Sequence, residues 1–455
     1  MIGTKSRPVE SSAPMKLARA FMRSQHVTED GAPGVWWWGG SFWVWYGDLW
    51  QHRTVRDMED EVWRWGEDVW YASGDGMVRR WNPTRTKVED VVRALAAVTR
   101  APWKEMPTGA PEGWDPLRCV AFRDVVVNVE SGEEVERTGR WVSSGVCPMR
   151  KGEGGTREWE RTVREWSQGE EAWERLLQEW MGYCLMGYRR KARWMLMYGK
   201  VRSGKGTISK LMGHLCGGEP WYATSSLTAL AGRFGLDGLQ HAKVLAIDEA
   251  QELDREVGHQ TGAILKMMLG EDPMVVEAKW EKGVRNVVVN PAIMMSANEM
   301  PNIPNRGKGI SSKMLVLEFR RSHLGKEDEG LLERLKEEAG GIAEWALEGA
   351  KRVLREGWTK TQAQEELEAE FRRSGDPVAC FVEDRLVENE RSFLPSSVLE
   401  RSWEEWARKN KVKVYPRSLS REVANSMGGG VRLVRRGKER VRGLVGVGLR
   451  RNPLD

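Results

Sequence analysis

Cysteine is scarce in these 455 residues: Cys119, Cys147, Cys184, Cys216 and Cys380 are odd in number and far apart. No Cys-x-x-Cys pair occurs, which argues against both a disulfide framework and a structural zinc site. Long apolar runs are missing as well. No stretch approaches the roughly 18–20 residues of a membrane-spanning helix, and the polar start from Met1 to Asp30 carries no secretory block. These absences point to a soluble intracellular chain with reduced thiols and no membrane partner. Tyrosine and phenylalanine are few, 7 and 8, against 24 tryptophans. An excess spread along the whole chain fits a compositional bias and by itself identifies no ligand. No internal repeat is present.

What remains is enough for a folded, multi-unit protein. Hydrophobic residues make up 40% and charged residues 30%, so a sizeable core is expected. The net charge of +5 hides an uneven distribution. From Lys411 to Arg451, 12 Lys and Arg face only Glu422 and Glu439, a net of +10, so the remainder sums to −5. A basic terminal unit on a mildly acidic body suggests local contact with a polyanion.

Residues 1–32, with Pro8, Pro14 and Gly31, read as a mobile tail containing one short helical stretch. Residues 33–190 form a mixed α/β region. It holds short strands around Gly39–Gly40, a helix over 88–99 and strand character over 118–129. Trp159, Val163, Trp166, Trp173, Leu176, Leu177 and Trp180 then recur at helical spacing, as core packing does. Residues 191–356 alternate strands and helices as an α/β nucleotide-binding core would. Residues 357–376 read as a charged linker with a helix in it, and 377–455 as a separate small unit.

The sharpest motif lies in the core. The apolar strand Trp194–Tyr198 runs into Gly199, Lys200, Val201, Arg202, Ser203, Gly204, Lys205, Gly206 and Thr207, and then into a helix. The two outer glycines permit a tight path whose N–H groups can face phosphates at a helix N-terminus. Lys205 supplies a charge to the β- and γ-phosphates of ATP, and Thr207 a hydroxyl for Mg²⁺. Gly206 stands where Ser or Thr is usual, so the hydroxyl comes one place later. Downstream, a buried-type strand ends in Asp248 and Glu249, a metal-side acid and a general base, or else an acidic helix cap. A third strand ends at Asn298, placed to sense the γ-phosphate or simply to form a turn before Pro301. The alternating runs 274–279 and 284–289 read as a hairpin. Lys279, Lys282 and Arg285 could meet DNA phosphates there and Trp280 a base, although a solvated turn fits the same pattern.

The order of these elements resembles the superfamily 3 helicases, specifically the helicase part of phage and plasmid primase–helicases and of the related poxvirus protein. The resemblance implies an AAA+-like P-loop ATPase core and a hexameric ring. In that ring the hairpin projects into the channel with Lys279 on single-stranded DNA, and travel runs 3′→5′. It makes residues 33–190 the helicase-associated region. It also implies that the primase half is missing, so that a separate primase or polymerase is a partner, in the cytoplasm of a microbial host. One departure stands out. The family carries an arginine six residues before the equivalent of Phe319, reaching the neighbouring subunit's γ-phosphate, and here that place is Lys313. A lysine cannot make the planar two-pronged contact, so Lys313 or Arg306 takes the role, or the action in trans is weak.

The last unit reads as three helices and a two-stranded basic hairpin, the plan of a winged-helix DNA-binding domain. Arg417 and Arg421 lie on the third helix, and Arg435, Arg436, Lys438 and Arg440 at the hairpin. A solvated basic face or a protein-docking module is the alternative. The sequence thus points to an ATP-driven DNA helicase of a virus, plasmid or integrated element. Its rivals are an ATP-switched origin-binding or loading protein and a nucleotide kinase.

Overall fold

The structure is a computed structural model that describes residues 3–29, 31–47, 49–102, 111, 113–139, 146–187, 192–248, 255–277, 284–303, 309–412, 416, 418–428, 431–436 and 441–450. The N-terminal region runs α1 (Pro14–Gln25), β1 (Val35–Trp38), β2 (Ser41–Trp45), β3 (Trp50–Arg53), α2 (Val55–Gly66), β4 (Trp70–Ala72), β5 (Val78–Arg80) and α3 (Arg85–Val98). It continues through β6 (Cys119–Ala121), β7 (Val125–Asn128) and β8 (Glu134–Glu136). The expected mobile tail is corrected here. Leu17, Ala18 and Phe21 of α1 share one helical face and are buried in a core with Val88, Val91 and Leu95 of α3. Val9 extends this packing, since its backbone bonds Trp70 and Ala72. At Gly39–Gly40, positive φ at both residues closes the β1–β2 hairpin.

The tryptophan-bearing helical stretch divides into α4 (Arg157–Ser167) and α5 (Glu171–Leu185), because Gln168 and Gly169 take positive φ. Trp159, Trp173 and Trp180 are fully buried, as their spacing indicated.

The core follows as β9 (Trp194–Gly199), α6 (Lys205–Leu215), β10 (Tyr222–Ser225), α7 (Leu227–Leu230), β11 (Val244–Ile247), α8 (Arg255–Gly270), β12 (Pro273–Glu277), β13 (Val284–Val288), β14 (Ala292–Ala297), β15 (Met314–Phe319), α9 (Leu331–Glu337) and α10 (Ala339–Arg355). Its five-stranded sheet has the order β10-β11-β14-β9-β15, parallel throughout. Parallel strands bury both faces. Met195 and Met197 of β9 face a core built with Ile208, Leu211 and Ile342, whereas Trp194 and Leu196 face one built with Leu265, Met268 and Phe371. The result is a mixed α/β fold whose parallel sheet is consistent with a P-loop core. At the α5–α10 crossing, a Cβ on Gly182 would stand 2.2 Å from the Ala346 carbonyl oxygen, so only glycine permits this approach. No helix among the described residues is long and apolar enough to cross a membrane.

The expected linker is also corrected. The helix expected in it is present as α11 (Gln364–Gly375), but its Leu367 and Phe371 are buried under the sheet, so the stretch is packed onto the core. Gln364 acts in place of a sixth strand. Its Oε1 accepts from Val316 N (2.9 Å), its Nε2 donates to Met314 O (2.9 Å), and Thr361 Oγ1 donates to Val316 O (3.0 Å). Gln364→Ala would leave two buried backbone groups of β15 without partners, at about 1–3 kcal/mol each. A lowered urea midpoint is the expected reading.

The terminal unit comprises α12 (Pro377–Arg385), β16 (Leu386–Pro395), α13 (Ser396–Lys409), α14 (Leu419–Met427), β17 (Arg432–Arg436) and β18 (Val441–Leu449). The three helices enclose Phe381, Trp403, Trp406 and Val423. The hairpin strands gain a third partner, β16, in the order β16-β18-β17.

Candidate nucleotide-binding site

Gly199 ends β9 at φ +138°, where a Cβ would lie 2.1 Å from Phe319 O. Gly204 has φ +102° and Trp166 against it, the would-be Cβ falling 2.5 Å from the indole. Both glycines are therefore required by close approach as well as by backbone angle. Between them Arg202 also takes a positive φ. Lys205 is buried beneath the loop and its Nζ donates to Gly199 O (2.9 Å), Lys200 O (2.7 Å) and Ser203 Oγ (3.2 Å). No described group accepts from the backbone N–H of Ser203, Gly204, Lys205 or Gly206. A Cβ on Gly206 would meet nothing within 4 Å. A run of unpartnered N–H groups at the start of an 11-residue helix, with an ammonium beneath it and open space beside it, fits a phosphate chain.

Burial pushes the Lys205 ammonium down to about 8. A bound polyphosphate favours the charged amine, so above pH 8 binding takes up a proton. Nucleotide affinity should then fall by up to about tenfold per pH unit as pH rises through 8. Titration with a fluorescent nucleotide at pH 7 and pH 9 reads this directly. Lys205→Met should remove the pH dependence.

The sheet order decides what meets the loop. Asp248 follows β11, Asn298 follows β14, and β14 lies between β11 and β9. Both side chains are exposed at the carboxyl edge where the loop begins. Asp248 is tied to the loop helix, because Ser209 Oγ donates to its Oδ1 at 3.3 Å. Ser209 also bonds the Tyr222 hydroxyl at 2.7 Å, and burial, with Asp248 nearby, raises the Tyr222 pKa. Thr207 lies half-buried two residues before Ser209 on the same helix. Glu249 lies outside the described residues.

The remaining candidates are elsewhere. Lys313 precedes β15 at the amino edge of the sheet, opposite the loop, where its Nζ donates to Leu269 O at the end of α8. Arg193 stands beside it and donates to Ser312 O. The β12–β13 hairpin is present in the register Pro273↔Val288 to Glu277↔Val284, with Arg233 forking onto Glu277 at 2.5 and 2.8 Å. Arg285 sits on β13 opposite Val276. Lys279, Trp280, Lys282, Arg306, Arg417, Lys438 and Arg440 lie outside the described residues. Arg421, Arg435 and Arg436 are exposed on α14 and β17.

Sequence reading missed the residues that brace the loop. At the end of β15 Phe319 O accepts from Lys200 N (3.2 Å), and past it Ser322 Oγ donates to Val201 O (2.7 Å) and His323 N donates to Arg202 O (2.8 Å). No local pattern marks them, since their partners are more than 100 residues away in the chain. A cleft of about 770 Å³ lined by Trp50, His52, Trp221 and Tyr222 holds none of the candidate residues.

A family described only as of unknown function (DUF5906) matches residues 197–321, the stretch from the end of β9 to just past β15. No curated protein matches the chain. Among solved structures, the chain is similar to the A form apo structure of the NrS-1 C-terminal region. That likeness has 11% identity and a TM-score of 0.49, and covers 90% of this chain and 95% of that one. A structure of NrS-1 residues 305–718 gives 13% identity and a TM-score of 0.44, covering 96% of this chain and all of that one. Such distant likenesses assign no activity, which has to be argued from the chain's own geometry.

Proposed function

We propose that this chain is the ATP-hydrolysing subunit of a ring-shaped DNA helicase of the superfamily 3, AAA+ type. Residues 191–356 are its motor, 33–190 the helicase-associated region, and 377–455 a winged-helix DNA-binding unit. The observation that carries the reading is the gathering of the Gly199–Thr207 loop, Asn298 and Asp248 on three neighbouring strands at one edge of the parallel sheet. In this reading the N–H groups of Ser203 to Gly206 and the Lys205 ammonium hold the phosphates, and Thr207 and Asp248 hold Mg²⁺. The chemistry that Mg²⁺ supplies there is neutralisation of charge on the phosphate oxygens. Asn298 orients the attacking water and Glu249 takes its proton.

The position of Lys313 at the opposite edge supports service to a neighbouring subunit, with Arg306 as the other candidate. The hairpin carrying Lys279, Trp280, Lys282 and Arg285 moves along one strand. The 3′→5′ direction, the sixfold ring, a separate primase or polymerase, and a phage, plasmid or integrated element in a microbial cytoplasm follow from the family resemblance. The testing experiment is ATP hydrolysis with and without single-stranded DNA, followed by unwinding of tailed duplexes. Stimulation by DNA supports the motor. Nucleotide binding without stimulation moves the reading to an ATP-switched origin-binding or loading protein, and then Glu249→Gln should leave its activity intact.

A further inference from the structure

The winged unit shows more than a basic face. α14 is anchored by Leu419, Ser420 and Val423, all buried, with Ser420 Oγ bonded to Ser396 Oγ at 3.0 Å. Its opposite face presents Arg421 and Asn425, both exposed and one helical turn apart, so their side chains are neighbours. Among the described residues neither side chain has a hydrogen-bond or ion-pair partner. A surface that only attracts phosphate needs cations, and a neutral carboxamide adds nothing to that attraction. It does match the donor–acceptor pair on the major-groove edge of adenine, as a guanidinium matches the paired acceptors of guanine.

The adjoining hairpin supplies the complementary half. In the β17–β18 register Arg435 stands directly opposite Arg442, both exposed. Like charges directly across strands destabilise the pair, and no described acid relieves this one. A phosphate between them would. Arg436 lies over the Phe393 ring at 5.9 Å, which orients the same strand.

We propose that the winged unit reads sequence. It sets α14 in the major groove of duplex DNA with Arg421 on a guanine and Asn425 on an adenine one or two base pairs away, while Arg435 and Arg442 clamp the backbone. This rests on the duplex-binding reading of the unit given above and adds recognition of a particular site.

The test is selection from a random duplex pool by the full chain, with sequencing of the bound fraction. The expected motif has adjacent or near-adjacent G·C and A·T pairs. Asn425→Ala should erase the preference at the A·T position and weaken the selected site by about five- to hundredfold, leaving affinity for random duplex unchanged. Arg421→Ala should erase the preference at the G·C position and, because it also removes a positive charge, weaken random duplex modestly as well. Arg442→Ala should weaken every sequence by a common factor and reduce the salt slope by about one. Duplex bound with no enriched motif, or a motif indifferent to both α14 substitutions, overturns this inference alone. No duplex binding overturns the duplex reading with it.

Discussion

Lys205→Ala should lower DNA-stimulated ATP hydrolysis by about 10²–10³-fold, the scale set by removing one electrostatic group from a transition state. The ammonium makes three hydrogen bonds, all within its own loop, to Gly199, Lys200 and Ser203. No element of the core depends on it, so the variant should keep its circular dichroism spectrum and thermal midpoint. A steady-state phosphate-release assay checks the first expectation, and a melt of the same sample the second. Hydrolysis that survives the substitution would place the reaction at another site or in a contaminant.

The largest expected effect on stability comes from Glu179, which is wholly buried between α5 and α10. Its carboxylate accepts from Arg352 Nε (2.8 Å), Thr359 N (2.8 Å) and Thr359 Oγ1 (2.7 Å). Glu179→Ala strands a largely buried guanidinium, and breaking such a pair from one side costs about 3–5 kcal/mol. Replacing both partners, as in Glu179→Leu with Arg352→Leu, should recover most of that loss, because neither charge then remains to be desolvated. Urea denaturation of the two single variants and the double one measures the coupling. Equal, additive losses would show that packing, not the pair, holds the two helices.

Why some of this was legible in the sequence and some was not follows from the range of the interactions. The strand-to-loop-to-helix run around Lys205, the hairpin of 273–288 and the tryptophan spacing of 159–180 are local patterns, and local geometry realises them. Residues 1–32 look loose because of Pro8 and Pro14. What settles their fate is the burial of Leu17 and Phe21 against α3, about 70 residues further on. The stretch 357–376 looks like a linker because its side chains are polar. Two of those, Thr361 and Gln364, are polar because they bond an exposed strand edge that no local pattern reveals. β16 escaped notice for the opposite reason. Its run from Val387 to Arg391 is exposed and lacks alternation, and the buried Leu386 and Leu394 that anchor it on β18 stand too far apart to show a strand period. Within the site, Asp248 and Asn298 were legible from strand endings, whereas Ser209 and Tyr222 were not, since only the fold brings them beside Asp248.

The bracing of the phosphate loop has a mechanical meaning. The carbonyls of Val201 and Arg202 hang from Ser322 and His323, a few residues past the end of β15. β15 is itself fastened along its free edge to Gln364, and the helix starting there ends one residue before α12 of the terminal unit. A displacement of α11 would therefore reach β15 through these edge hydrogen bonds and through Leu367 and Phe371 in the layer beneath the sheet. β15 is thus the common member, bonded near its start to the helix that leads to the terminal unit and near its end to the loop.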